Sequence, residues 1–360
     1  MSKDVHTSVY CGNKLRIEVF GASHEQEIGV RVKGLQGKSV DLDNLQAFVD
    51  RRKAKKASFS TSRLEEDKII VKKGLKGDKL KNDFIAVIKN CNQKSLDYQN
   101  VKKIPRPSHA DYVGWVKYGN DFDYRGGGKF SGRMTAPLCI VGGICKQILS
   151  SMGIEIHAYI ASIGSVQAKG YMDLDESTCD YSVLDGEFPL LDTDKKEEML
   201  SLIDSAKKDG DSIGGTVECL ALNVPLGLGE FMFDSVEGVI SKLAFSVPAV
   251  KGIEFGKGFS LSQMNGSVAN DTYFYDNNEK VRVKTNNNGG ILGGITTGNP
   301  ISFKVAIKPT PSIAKEQDSV DLENKQNVKL KIKGRHDACI VPRAVPVIEA
   351  IMAIAIYDLI

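Results

Sequence analysis

Apolar and polar residues alternate in short runs near the start of the chain. Residues 15–20, 29–32, 69–73 and 84–89 read as β-strands on that pattern. Between the second and third of these the period lengthens to that of a helix, from position 42 to about 52, with Asp41 placed to cap it. A second helix is predicted from about Ser131 to just before Gly153, a natural residue for the turn that ends a helix. Pro137 falls inside that span, so the helix starts later or kinks there. Amphipathic helices are predicted over 195–208 and 235–245, the latter capped by Asp234, and a final helix over about 345–357. Further strands are expected at 154–163, 215–222 and 301–307. Residues 265–290, rich in asparagine and glycine, read as a long loop with a short strand at 281–283. Nothing divides the chain cleanly, and one mixed α/β domain spanning 1–360 is expected.

Composition narrows the classes little. Of 360 residues, 41% are hydrophobic and 26% charged, as in ordinary globular proteins, and the formal net charge is +3. That balance implies no general affinity for nucleic acid or membrane, so electrostatic arguments have to be local. The seven cysteines, Cys11, Cys91, Cys139, Cys145, Cys179, Cys219 and Cys339, are scattered and include no C-x-x-C pair. They read as reduced thiols rather than a disulfide framework or zinc site. The N-terminus lacks a signal-peptide core, and the most apolar stretch, 340–360, is too polar for a membrane span. A cytoplasmic protein is expected.

Three of the five histidines sit in turn-like sequence rather than on apolar faces. They are His24 in FGASHE, His109 in RPSHADY beside Arg106, and His336 in GRHDAC between Arg335 and Asp337. Imidazole exchanges protons near neutral pH, which makes each a candidate acid or base. Residues 51–63, RRKAKKASFSTSR, carry six basic side chains and no acidic one. Three readings stand: a solvated basic loop, a nucleic-acid patch, or an anion clamp built from convergent guanidiniums. The nucleic-acid reading is the weakest, because the chain has no recognition motif. DYRGGGKFSGR (123–133) is either an anion-binding turn or a structural glycine turn; it matches neither the P-loop nor the dinucleotide fingerprint. GGILGG (289–294), KPTPS (308–312) and GRHDAC (334–339) each pair flexible backbone with a cation or hydroxyl.

Taken together and in order, these segments resemble the chorismate synthase family. FGASHE, DRRKAKKASFSTSRLEED, RPSHADYVGWVKYG, DYRGGGKFSGR, AVKGIEFGKGF, NNNGGILGGITTG, KPTPS and GRHDACIVPRAVPVIEA look like its successive blocks. The resemblance implies a single-domain β-α-β sandwich, a homotetramer and a place in the shikimate route to aromatic amino acids. The reaction implied is a carbon–oxygen lyase step, trans-1,4-elimination of phosphate from 5-enolpyruvylshikimate-3-phosphate. Reduced FMN is required without net redox change, and NADPH is a candidate source of its electrons. The implied partner is a small anionic substrate, with no nucleic acid and no membrane.

Residue by residue, the resemblance makes His24 and His109 the acid–base pair, one for the departing phosphate and one for the flavin's protonation state. Asp337 matches the aspartate that helps remove the C6 proton through the flavin. Arg52, Arg106, Arg133 and Arg335 match substrate- or flavin-contacting arginines. Lys129, Ser131, Ala249, Gly293, Lys308, Pro309, Thr310, Pro311 and Ser312, again with Arg335, match cofactor-binding positions. Ala22, Glu25, Ser58, Phe130, Met134, Pro248 and Ala338 depart from the family's usual residues. A catalytically weak or repurposed flavin- or anion-binding relative is therefore the alternative expectation.

Overall fold

The computed structural model describes residues 7–54, 65–91, 103–174, 179–332 and 336–360. Two five-stranded antiparallel sheets enclose a layer of helices. The first sheet contains β1 (Ser8–Cys11), β2 (Arg16–Gly21), β3 (Glu27–Lys33), β4 (Ile69–Lys76) and β5 (Lys79–Lys89), in the order β1-β2-β3-β5-β4. The second contains β6 (Glu155–Ile163), β7 (Val166–Gln167), β8 (Gly215–Leu222), β9 (Val250–Phe255) and β14 (Ile301–Ile307), in the order β7-β6-β8-β14-β9. Three small ribbons complete the strands: β10 (Tyr273–Tyr275) with β11 (Val281–Val283), β12 (Ile291–Leu292) with β13 (Ile295–Thr296), and β15 (Glu316–Asp321) with β16 (Gln326–Lys331).

The helices are α1 (Leu42–Asp50), α2 (Asp111–Tyr118), α3 (Thr135–Ser150), α4 (Lys196–Lys208), α5 (Val236–Ala244), α6 (Gly266–Ala269) and α7 (Val341–Leu359). Helix α3 packs on β3 and β5, α7 on β6 and β8, and the two helices pack on each other. This is the expected β-α-β sandwich, with one apolar core running through both sheets and the helices between them. The central contact is close because Gly142 lacks a side chain. A Cβ there would lie 2.3 Å from the Cβ of Ala350.

The predicted boundaries shift for identifiable reasons. Residues 132–134 form a short 3-10 turn capped by Ser131, and α3 begins only at Thr135. Pro137 therefore lies in the first turn, where its missing N–H costs nothing. Ser235, not Asp234, caps α5, its Oγ accepting from the Gly238 amide at 2.9 Å. Helix α7 starts four residues earlier than position 345, at Val341, with Pro342 in its first turn. Asp41 caps α1 as expected, accepting from the amides of Asp43 and Asn44. The loop at 265–290 contains its expected strand, β11, paired with β10 and preceded by α6.

Candidate active site

The segment 125–130 turns on three consecutive glycines with positive φ, Gly126 at 56°, Gly127 at 84° and Gly128 at 52°. The region is strained for residues with a side chain. The turn also has no room for one. A Cβ on Gly126 would sit 2.5 Å from Nε2 of His24, and a Cβ on Gly127 would sit 3.2 Å from Nε2 of His109. Two histidines far apart in sequence thus face adjoining residues of one turn. The Ser23 amide donates to the Gly128 carbonyl at 3.2 Å, tying the His24 loop to it.

His109 belongs to a compact charged group at the start of α2. Asp111, 2% exposed, accepts from Arg106 through Nε at 2.7 Å, Nη2 at 2.8 Å and the backbone amide at 3.0 Å. Its Oδ1 also lies 2.7 Å from Nδ1 of His109. Burial alone would raise the Asp111 carboxyl, but its bonds to Arg106 and His109 outweigh this and hold it well below the usual carboxylate range. Nδ1 of His109 is engaged by this group, 2.7 Å from Asp111 Oδ1 and 3.1 Å from Arg106 Nη2, while Nε2 lies on the side of the glycine turn. Asp111 was not picked out from the sequence. Its signal was an acid two residues from His109 at a helix N-terminus, where negative charge is favoured.

The 308–312 segment is fastened to this group at both ends. Lys308 Nζ donates to the Ser108 carbonyl at 2.5 Å, and Arg106 Nη1 donates to Ser312 Oγ at 3.1 Å. The Lys308 amide donates to the carbonyl of Ala249, itself at φ 75°, so Ala249 joins the same region. Pro309 and Pro311 flank Thr310, whose carbonyl accepts from Ser212 Oγ at 2.7 Å while its Oγ1 is buried without a hydrogen-bond partner. The neighbouring Ile213 amide donates to Ala338, bringing 336–338 alongside. His336 Nε2 is likewise buried and unpartnered. Burial first, then the charge of Arg106 and the nearness of His109, pull the His336 imidazole below its ordinary value against the opposing pull of Asp337.

A second charged group adjoins the first through Ser131. Ser131 stands beside Gly127, and its Oγ accepts from the amide of Arg133 at 3.3 Å. Arg133 and Arg52 share one carboxylate, Asp67: Arg52 Nη2 donates to Oδ2 at 2.9 Å, and Arg133 Nη1 donates to Oδ1. Burial would raise Asp67, but the two guanidiniums prevail and lower it. Asn90 connects the two groups. Its Oδ1 accepts from Arg133 Nε at 2.9 Å, while its Nδ2 donates to the carbonyls of Ala22 and Glu25 on either side of His24. Arg343 closes the group, donating to Asp337 Oδ2 at 2.6 Å and to the Arg52 carbonyl at 3.2 Å. Asp67 and Arg343 fall inside the family-like blocks at 50–67 and 334–350, but nothing there marks their partners, and Asn90 lies outside those blocks.

The structure thus gathers His24, His109, Arg106, Ser312, Lys308, Thr310, Ala249, Ser131, Arg133, Arg52 and Asp337, with His336 beside them. Two candidates stand apart. Lys129 places its ammonium 3.2 Å from the Tyr118 ring centroid, and Gly293 lies in the β12–β13 turn, with no contact to the histidines among the described residues. Arg335 and Ser58 lie outside the described residues.

A family model described as chorismate synthase matches residues 15–360. A chorismate synthase from Dehalococcoides mccartyi strain 195 is 43% identical over 350 residues, covering 97% of this chain and 95% of that protein. One from Korarchaeum cryptofilum is 42% identical, covering 96% of each. The chain belongs to the chorismate synthase family. A solved chorismate synthase crystal structure superposes with a TM-score of 0.76 at 27% identity, covering 97% of this chain and 92% of that one.

Within this chorismate synthase fold, several of the residues expected from the sequence to depart from the family pattern are packed against the protein. Ala22, Met134 and Ala338 are buried, and Phe130 packs at 6.3 Å from both Tyr118 and Phe122.

Proposed function

We propose that the chain is an active chorismate synthase, eliminating phosphate from 5-enolpyruvylshikimate-3-phosphate to give chorismate. The observation that supports this above all is the placement of His24 and His109 against adjoining glycines of one turn, beside buried guanidiniums contributed by distant segments. A substrate with two carboxylates and a phosphate calls for such convergent cations, each charged hydrogen bond contributing roughly 1.5–3 kcal/mol. In this reading Arg52, Arg106, Arg133 and Arg335 bind its anionic groups. One of the two histidines gives a proton to the phosphate as its C–O bond breaks, and His109, held through Nδ1 by Asp111, has Nε2 available for that transfer. Asp337, fixed by Arg343, takes part in accepting the proton that the substrate loses.

The residues present fit reduced FMN. Thr310 Oγ1 and His336 Nε2 are buried polar atoms without partners among the described residues. Ser131, Ala249, Gly293 and Lys308 through Ser312, with Lys129 and Arg335, would hold it. When bound, reduced FMN supplies electron density to the substrate as phosphate departs. We read the protein as a homotetramer of single-domain subunits. Phe231, Phe233, Phe259 and Tyr275 are among the large apolar side chains that stand exposed, and an assembly would cover them. The seven free thiols suit a reducing compartment and support a cytoplasmic reading.

The test is an anaerobic assay with chemically reduced FMN. Release of phosphate together with chorismate is expected, and its absence from folded, flavin-saturated protein overturns the proposal in favour of a repurposed relative. Running the assay with NADPH as sole reductant separates a chain that reduces its own flavin from one supplied with it reduced. His109→Ala is expected to lower kcat by about 10²–10⁴, the usual contribution of a general acid or base. A loss below tenfold excludes that role.

A further inference from the structure

Asp67 touches neither histidine, yet two of the proposed substrate arginines meet on its carboxylate. It is 3% exposed and sits at φ 49°, a left-handed conformation rare outside glycine and asparagine. Gln46 of α1 holds the backbone there, donating through Nε2 to the Asp67 carbonyl at 3.1 Å and accepting from the Ile69 amide at 2.9 Å. Both bonds hold the chain on the C-terminal side of Asp67.

The two guanidiniums that Asp67 joins differ in what they have left to give. All three nitrogens of Arg133 already bond protein: Nε with Asn90 at 2.9 Å, Nη2 with the Lys89 carbonyl at 3.3 Å, and Nη1 with Asp67. Arg52 bonds Asp67 through Nη2 alone, and its Nε is buried without a partner. The Asp67 carboxylate bonds both guanidiniums and the charge of Glu65 also acts on Arg133, while the unsatisfied donor among the described residues belongs to Arg52. A buried donor left in this way is costly unless something else accepts from it.

We propose that Asp67 is a positioning residue for substrate: it braces Arg52 against the immobile Arg133, so that Arg52 turns its remaining donors to an acidic group of the substrate. The inference rests on the reading of Arg52 and Arg133 as substrate arginines, and assigns them unequal work. Arg52 turns its remaining donors to substrate, and Arg133 binds substrate from a position fixed by its bonds to the protein.

A double-mutant cycle in the anaerobic assay tests this. Asp67→Asn suits the left-handed backbone and removes only the charge. It is expected to raise KM for the phosphorylated substrate by about tenfold or more with kcat changed by less than about threefold, the pattern of a lost binding contact. In an Arg52→Ala background the same substitution is expected to change KM by less than about twofold, because its effect passes through Arg52. Equal effects in both backgrounds, or a loss of thermal stability with KM unmoved, would overturn the proposal and leave Asp67 a structural ion partner. Native KM in both Arg52→Ala and Arg133→Ala would instead overturn the substrate reading of the arginines. Should Asp67→Asn fail to fold, Asp67→Ala prepared in formate replaces it. KM should then fall as formate rises in the variant but not in the native protein, and no response to formate counts against the proposal.

Discussion

His336 shows how position along the chain and position in space set different limits on a residue. It lies between Arg335 and Asp337 in sequence, yet burial and Arg106 govern its protonation. Its folded value lies below the ordinary one near 6.5, so over the interval between the two the unfolded chain binds more protons. Stability is therefore full above pH 6.5 and declines as pH falls through the folded value. Melting curves recorded from about pH 8 to 5 should show the decline, and His336→Gln should flatten it. An unchanged slope in that variant would assign the effect to another group, for which His157, also lowered chiefly by burial, is the first candidate. At this scale the family blocks made His24, His109 and Arg106 legible. Asp67 lies in one of those blocks, at 50–67, without any mark of its partners; its bond to Arg133 spans 66 residues, that of Asn90 spans 43, and the Arg343 bond to Arg52 spans 291. Nothing in a local window marks such pairs.

Elements were legible where an apolar stripe forms them. Helices α1, α4 and α5 bury such stripes, and the strands β6, β8 and β14 lie where alternation and apolar runs put them. Helix α2 was missed because its buried positions are Asp111 and Gly114, while Val113 and Val116 face outward. A charge rather than a hydrophobic face anchors it, and periodicity cannot register that. The β15–β16 hairpin was missed for a similar reason, its first strand reading EQDSVD. Packing between elements yields a sharp expectation at Gly142. Alanine there would gain about 1 kcal/mol in helix propensity. Its Cβ, however, would lie 2.3 Å from Ala350 Cβ and 2.4 Å from Ala350 Cα, so α3 and α7 must separate. Overpacking of this kind costs roughly 1–3 kcal/mol. Gly142→Ala should thus lower stability in urea unfolding by up to about 2 kcal/mol, and a gain would mean that the helices part freely.

On the scale of the whole molecule, Asp358 joins α7 to the edge of the first sheet. Its carboxylate accepts from the amides of Asn13, Lys14 and Leu15 at 2.7–2.9 Å and from Tyr10 Oη at 2.9 Å, at 1% exposure. Asp358→Ala strands those donors and should cost roughly 2–4 kcal/mol in chemical denaturation. A loss near zero would mean that water replaces the carboxylate. The proposed tetramer makes its own demand. Native mass spectrometry or light scattering should find an assembly of four, and aspartate at both Phe233 and Phe259, 88% and 82% exposed, should reduce it if those rings are covered by a neighbour. The bond from Asp358 to Leu15 spans 343 residues. Ribosomes add about 5–20 residues per second, so the turn between β1 and β2 emerges on the order of tens of seconds before the group that secures it. At this edge a late-made group secures an early-made turn, and a nascent chain stalled just short of Asp358 should present its first hairpin to proteases.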